Sequence, residues 1–234
     1  MGRAVAASYG LMISGQAAVI VFFILSGYCI HWPAAHQQPA SWRSFFVRRV
    51  LRIGVPMLAI LPFLEWSKID FHAFNDSIYW SLICEMVYYC LYPALLFLSR
   101  RMGWWKMIWF GLLMCVIINL LLPIEGSNRL FQRCGPCFTW LLGLPCWMLG
   151  AQLAEIQPTT QQVFHVLWRW RLAIWLVSFV LNIATFHSPF SHSLTLGFFG
   201  LFTFYWLRIE IARWRLCMPS AITGIFEVFR GYHR

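Results

Sequence analysis

Gly15-Gln-Ala-Ala-Val-Ile-Val-Phe-Phe-Ile-Leu-Ser-Gly-Tyr-Cys-Ile-His31 contains no Asp, Glu, Lys or Arg. As a helix it is about 25 Å long at 1.5 Å per residue. Extended back towards Leu11, it matches the ~30 Å hydrocarbon core of a bilayer. Six further apolar blocks follow, over Phe45–Leu64, Ser77–Leu98, Trp104–Leu122, Phe138–Leu153, Leu172–Phe186 and Leu194–Leu207. The fifth is short and interrupted by Pro145, and an eighth apolar pattern begins at Pro219. The spacing predicts an all-α fold, a polytopic transmembrane helix bundle of about seven to eight spans forming a single domain over 1–234.

Composition excludes a soluble domain. Apolar residues make up 60% of the chain and charged residues 11%, with a mean hydropathy of +0.65. A water-facing surface needs roughly 25% charged residues. The net charge of +10 comes from sixteen Arg and two Lys, which in a soluble protein would suggest nucleic acid. Here twelve of the eighteen basic residues lie in alternate loops: Arg43, Arg48, Arg49 and Arg52; Arg100, Arg101 and Lys106; Arg169 and Arg171; Arg208, Arg213 and Arg215. This is the positive-inside pattern, which puts those loops in the cytoplasm and makes no nucleic acid the expectation. The first block then runs inwards from an outer N-terminus. With no cleavable signal sequence evident, that is an awkward start. The chain is expected to be a fragment lacking an upstream helix and further downstream helices.

Loops of about a dozen residues leave no room for an extramembrane catalytic domain, so any chemistry belongs in the bundle or at its edge. A charge inside a span costs about 2.5–3.5 kcal/mol at a helix centre and is a functional candidate by default. Arg48, Arg49 and Arg52 enter the second block from the cytoplasm, with Arg48 and Arg52 four apart on one helix face. Guanidinium forks match phosphate oxygens. The competing reading is that these arginines snorkel to lipid headgroups. Glu85 lies about 12 Å inside the third block, where a carboxylate must be neutral, paired or beside a wet cavity. It is read either as functional or as a hydrogen-bonded anchor between helices.

The remaining candidates carry less. His31 and His36, like His187 and His192, are read as interfacial, and no metal site is expected. Cys29, Cys84, Cys90, Cys115 and Cys146 are read as small buried hydrophobes. Cys134-Gly-Pro-Cys137 lacks the βαβ setting of a redox site, which leaves a loop disulfide or two unpaired thiols.

Three stretches in order, Val21-Phe-Phe-Ile-Leu-Ser-Gly-Tyr-Cys-Ile30, Phe46-Val-Arg-Arg-Val-Leu-Arg-Ile-Gly-Val-Pro56 and Trp80-Ser-Leu-Ile-Cys-Glu85 through Tyr89 to Pro93, resemble the acyltransferase-3 family of membrane O-acyltransferases. Leu144-Pro-Cys-Trp-Met-Leu-Gly150 adds a fainter likeness. The resemblance covers about Gly15 to Gly150. It implies transfer of an acyl group, acetyl above all, from acyl-CoA to a carbohydrate hydroxyl such as that of a cell-surface polysaccharide. The setting it implies is a multi-pass protein of the bacterial inner membrane. The implied catalytic residue is Glu85, and the implied substrate-binding residues are Arg48, Arg49, Arg52, Ser81 and Tyr89. The partners are acyl-CoA, a carbohydrate acceptor and membrane lipid. The sequence departs from the family pattern in lacking a histidine-bearing helix ahead of the first block. An inactive truncated acyltransferase is therefore one alternative, and a transporter of acyl groups or substrate another.

Overall fold

The computed structural model describes residues 15–36, 41–56, 58–59, 62, 80–121, 139–156, 167–187 and 192–217. Among these residues the chain forms seven α-helices and one π-helical turn, with no strand. The helices are α1 (Gly15–His36), α2 (Trp42–Arg49), α3 (Trp80–Met102), α4 (Trp104–Leu121), α5 (Thr139–Glu155), α6 (Leu167–His187) and α7 (His192–Cys217). The π turn, Val50–Gly54, continues α2. It lies just ahead of Pro56, whose ring would strike the carbonyl of Arg52 in a regular α-helix. A wider turn relieves that contact.

Three of the helices, α1, α3 and α4, are long and apolar enough to cross a membrane. Large side chains on their outer faces are exposed, among them Phe22 on α1, Phe97 on α3 and Phe110 and Leu120 on α4. So much bare apolar surface suits hydrocarbon as the surrounding solvent and not water.

The helix boundaries modify the expected blocks. The described part of the second block is helical over 42–56 and at 58–59 and 62, and the rest of it lies outside the described residues. The sixth helix begins five residues early, at Leu167, and the seventh continues ten residues past Leu207. Charged residues do not end a helix by themselves. Arg171 and Glu210 pair through two hydrogen bonds, Nε to Oε2 at 3.3 Å and Nη2 to Oε1, and so clasp α6 to α7 beyond the apolar stretch. The pattern beginning at Pro219 lies outside the described residues.

The core is built around α5. Thirteen of its seventeen residues are buried, as expected of a helix apolar on every side. It meets α1 most extensively and also packs on α3, α4 and α7. Small residues let the backbones approach. Gly27 of α1 lies against the backbone of Trp147 and Ala151, and Gly150 of α5 lies against that of Ile24 and Tyr28. Such close approach is the usual basis of helix association in lipid. Gly111 of α4 faces Pro145, and Gly200 of α7 faces Cys146.

Between α3 and α4 the chain turns on Gly103 alone. Its φ is 79°, in the left-handed region that only glycine enters without strain. Its amide donates to the Ser99 carbonyl at 2.7 Å, closing the end of α3.

Candidate active site

The buried polar side chains of α3 share one face. Glu85, Tyr88, Tyr89 and Tyr92 follow the i, i+3, i+4, i+7 spacing of a helical stripe, and all four are buried. Ser81, also buried, lies one turn before Glu85 on the same side. The stripe faces α1 and α5. Tyr88 donates to the Trp140 carbonyl of α5 at 2.8 Å, which fixes the register of α3 against that helix.

Along the seam of α1 with α3, two polar tiers are stacked. The upper tier is Ser26, Tyr89 and Glu85. Tyr89 donates its hydroxyl to Glu85 Oε1 at 3.0 Å, and Ser26 Oγ lies 3.4 Å from the same tyrosine oxygen. Tyr89 spends its proton on the carboxylate, so Ser26 is the donor to Tyr89. Glu85 is 0% exposed, and its Oε2 has no hydrogen-bond partner among the described residues. A bare carboxylate oxygen in a buried site is costly unless something arrives to bind it.

Arg49 covers this tier from α2. Its guanidinium carbon lies 5.7 Å from the Tyr89 ring centre and 5.7 Å from that of Phe45, within range of a cation–π contact. It reaches the field of Glu85 without forming a salt bridge to it. The other two arginines are not brought into the seam. Arg48 and Arg52 are exposed, and Arg48 donates from Nε to the Ser44 carbonyl of its own helix at 3.2 Å. Arg49 is thus the member of the trio that meets the glutamate's surroundings.

About 4.5 Å further along α3, at 1.5 Å per residue, lies a second tier that the sequence reading missed. His31 was assigned to the interface, yet it is 2% exposed. Its Nδ1 lies 3.0 Å from Tyr92 Oη and its Nε2 lies 3.1 Å from Glu155 Oε1. The indole N–H of Trp104 donates to the same carboxylate oxygen at 2.9 Å. The tier therefore ties together α1, α3, α4 and α5. One sequence signal pointed to it: His31 and Glu155 close apolar blocks of the same expected orientation, which puts both at one end of the bundle. His36 does sit at the surface, stacked on Trp32 at 3.6 Å between ring centres.

The cysteines divide differently from the expectation. Cys84, Cys115 and Cys146 are buried, whereas Cys29 and Cys90 are exposed. Cys134 and Cys137 lie outside the described residues. Among the described residues no cluster of metal-ligating side chains occurs.

Among the described residues, an all-helical bundle with lipid-suited outer faces and a polar inner seam is the architecture of an integral membrane protein. Residues 3–229 match the family described as acyltransferase domain, acyltransferase-3. The match spans nearly the whole chain, and the protein belongs to that family; acyltransferase activity is the activity the family implies. No curated protein and no solved structure matched the chain.

Proposed function

We propose that this protein transfers an acyl group, acetyl in the simplest case, from acyl-CoA on the cytoplasmic side of a bacterial inner membrane to a carbohydrate hydroxyl. The observation that carries the reading is the buried, unpartnered Oε2 of Glu85 beneath Arg49. A second hydroxyl of the carbohydrate acceptor donates a hydrogen bond to Oε2, which orients the sugar for attack by the reacting hydroxyl. Arg49 faces the same space with a fixed positive charge, suited to the oxyanion that forms when a thioester carbonyl is attacked. Tyr89, held by Ser26, keeps Oε1 occupied and aims Oε2. Ser81 borders the site from the preceding turn. The exposed Arg48 and Arg52 are suited to the phosphates of CoA at the membrane surface.

The test is transfer of label from radioactive acetyl-CoA to extracted glycan in membranes carrying the protein. Glu85→Gln keeps the side-chain shape and removes the charge. It is expected to lower the rate about 10²-fold, the lower range for loss of one preorganised polar contact in an active site. Equal labelling by wild type and Glu85→Gln would overturn the site.

A further inference from the structure

The geometry points to Tyr92, His31 and Glu155 as the proton-accepting relay of the acyl-transfer reaction, an inference that rests on the function proposed above. A carboxylate can only accept, so Nε2 of His31 carries the hydrogen directed at Glu155 Oε1. In the neutral ring Nδ1 is then an acceptor, and the hydrogen of this bond belongs to Tyr92. The order is hydroxyl, imidazole, carboxylate, with the imidazole tautomer set by the acid behind it. This is the arrangement by which a hydroxyl is made able to take up a proton. Trp104 holds the carboxylate in place through a second hydrogen bond.

Position supports the assignment. Tyr92 lies one turn from Tyr89 on the same face of α3, and its ring packs 5.5 Å from that of Phe45, the residue on which Arg49 rests. The relay therefore ends beside the Glu85 tier. At its other end Glu155 is 45% exposed, so the line opens on the surface of the bundle. His31 is otherwise enclosed, by Trp104 at 5.1 Å and Tyr92 at 6.0 Å between ring centres. The titratable and charged groups that face the relay are Glu155 of α5, Tyr92 and Arg100 of α3, Arg49 of α2 and His36 of α1.

In the reaction, the acceptor O–H gives its proton to Tyr92 Oη while Tyr92 passes its own to His31 Nδ1. The acceptor oxygen forms the new C–O bond with the acyl carbon. The C–S bond breaks, the CoA thiolate leaves with the electron pair, and the proton returns along the same line to the sulfur. Atoms and charge balance with no further reactant. Tyr92 is the group that meets substrate; His31 and Glu155 are positioning residues that act through it.

The experiment measures kcat for transfer from labelled acetyl-CoA as a function of pH, in the full chain and in Tyr92→Phe, His31→Gln, His31→Ala and Glu155→Gln. Wild-type activity should fall towards acid as His31 takes a proton. His31→Gln and Tyr92→Phe should each lose about 10²-fold in kcat and lose that acid limb, with KM for acetyl-CoA little changed. Added imidazole should restore part of the activity of His31→Ala and none to Tyr92→Phe, a rescue that a purely structural histidine would not show. Tyr92→Phe preserves the ring packing, so its loss would not reflect misfolding. An active wild type whose His31→Gln and Tyr92→Phe forms keep its kcat and acid limb would overturn the relay and leave the function standing. A wild type with no transfer activity would overturn both. Nitrogen NMR on labelled histidine reads the geometry independently: Glu155→Gln should move the Nε2 resonance of His31, and an unmoved resonance would remove the carboxylate from the relay.

Discussion

Gly27 and Gly150 interlock reciprocally, each placing its bare Cα against the backbone of the other's helix. A Cβ at Gly150 would run into the Ile24 carbonyl, and one at Gly27 into that of Trp147. Backbone cannot swing aside as a side-chain tip can. Gly150→Ala is therefore expected to force α1 from α5, at a cost of about 1–3 kcal/mol or more. The check is the melting temperature of the protein in detergent, with Gly15→Ala as the control, since nothing lies within 4 Å of a Cβ there. Equal melting of the two variants would refute the interlock.

Gly103 poses a different requirement. Space is open around it, so the constraint is its positive φ of 79°. Gly103→Ala should destabilise by about 1–2 kcal/mol, the cost of a left-handed conformation for a residue with a Cβ. Gly103→Asn should recover part of the loss, because asparagine tolerates that region. Thermal unfolding of the two variants separates backbone strain from simple loss of flexibility, which would affect both alike.

The three arginines should separate in kinetics. Arg49 is held over two aromatic rings beside Glu85, and a lysine there keeps the charge while losing the planar stacking surface. Arg49→Lys is expected to lower kcat by about 10-fold, near 1.4 kcal/mol of barrier. Arg48→Lys and Arg52→Lys, at exposed positions, should raise KM for acetyl-CoA and leave kcat close to wild type. A kcat effect of equal size at all three would contradict the placement of Arg49 alone in the seam.

Much of this was legible in the sequence. Long uncharged blocks dictate helices in a bilayer whatever their partners, so the all-helical membrane bundle follows from composition and block length. Glu85 stands out in the sequence by the cost of a carboxylate at that depth, and the structure buries it. What stayed hidden was which side chains meet. Three arginines in five residues look alike until α2 is laid against α3, and then only Arg49 faces Tyr89. His31 looked interfacial because it ends an apolar block, and at such an end burial depends on neighbouring helices. Its partners come from residues 61 and 124 positions away, a distance over which periodicity carries no information. The extra turns of α6 and α7 were missed for a similar reason. Arg171 and Glu210 flank their apolar runs 39 positions apart in sequence and become a pair only across the helix interface.

The enclosed α5 has a mechanical implication. Near its start the Trp140 carbonyl holds Tyr88, and at its end Glu155 holds His31 and Trp104. These anchor points are about 22 Å apart along the helix, with Pro145 between them. A proline leaves the carbonyl four residues back without its helical donor and makes that turn the easiest place to bend. The helix is therefore fastened on both sides of its weakest turn, and a bend there is resisted by the Tyr88 contact before it and the Glu155 contacts after it.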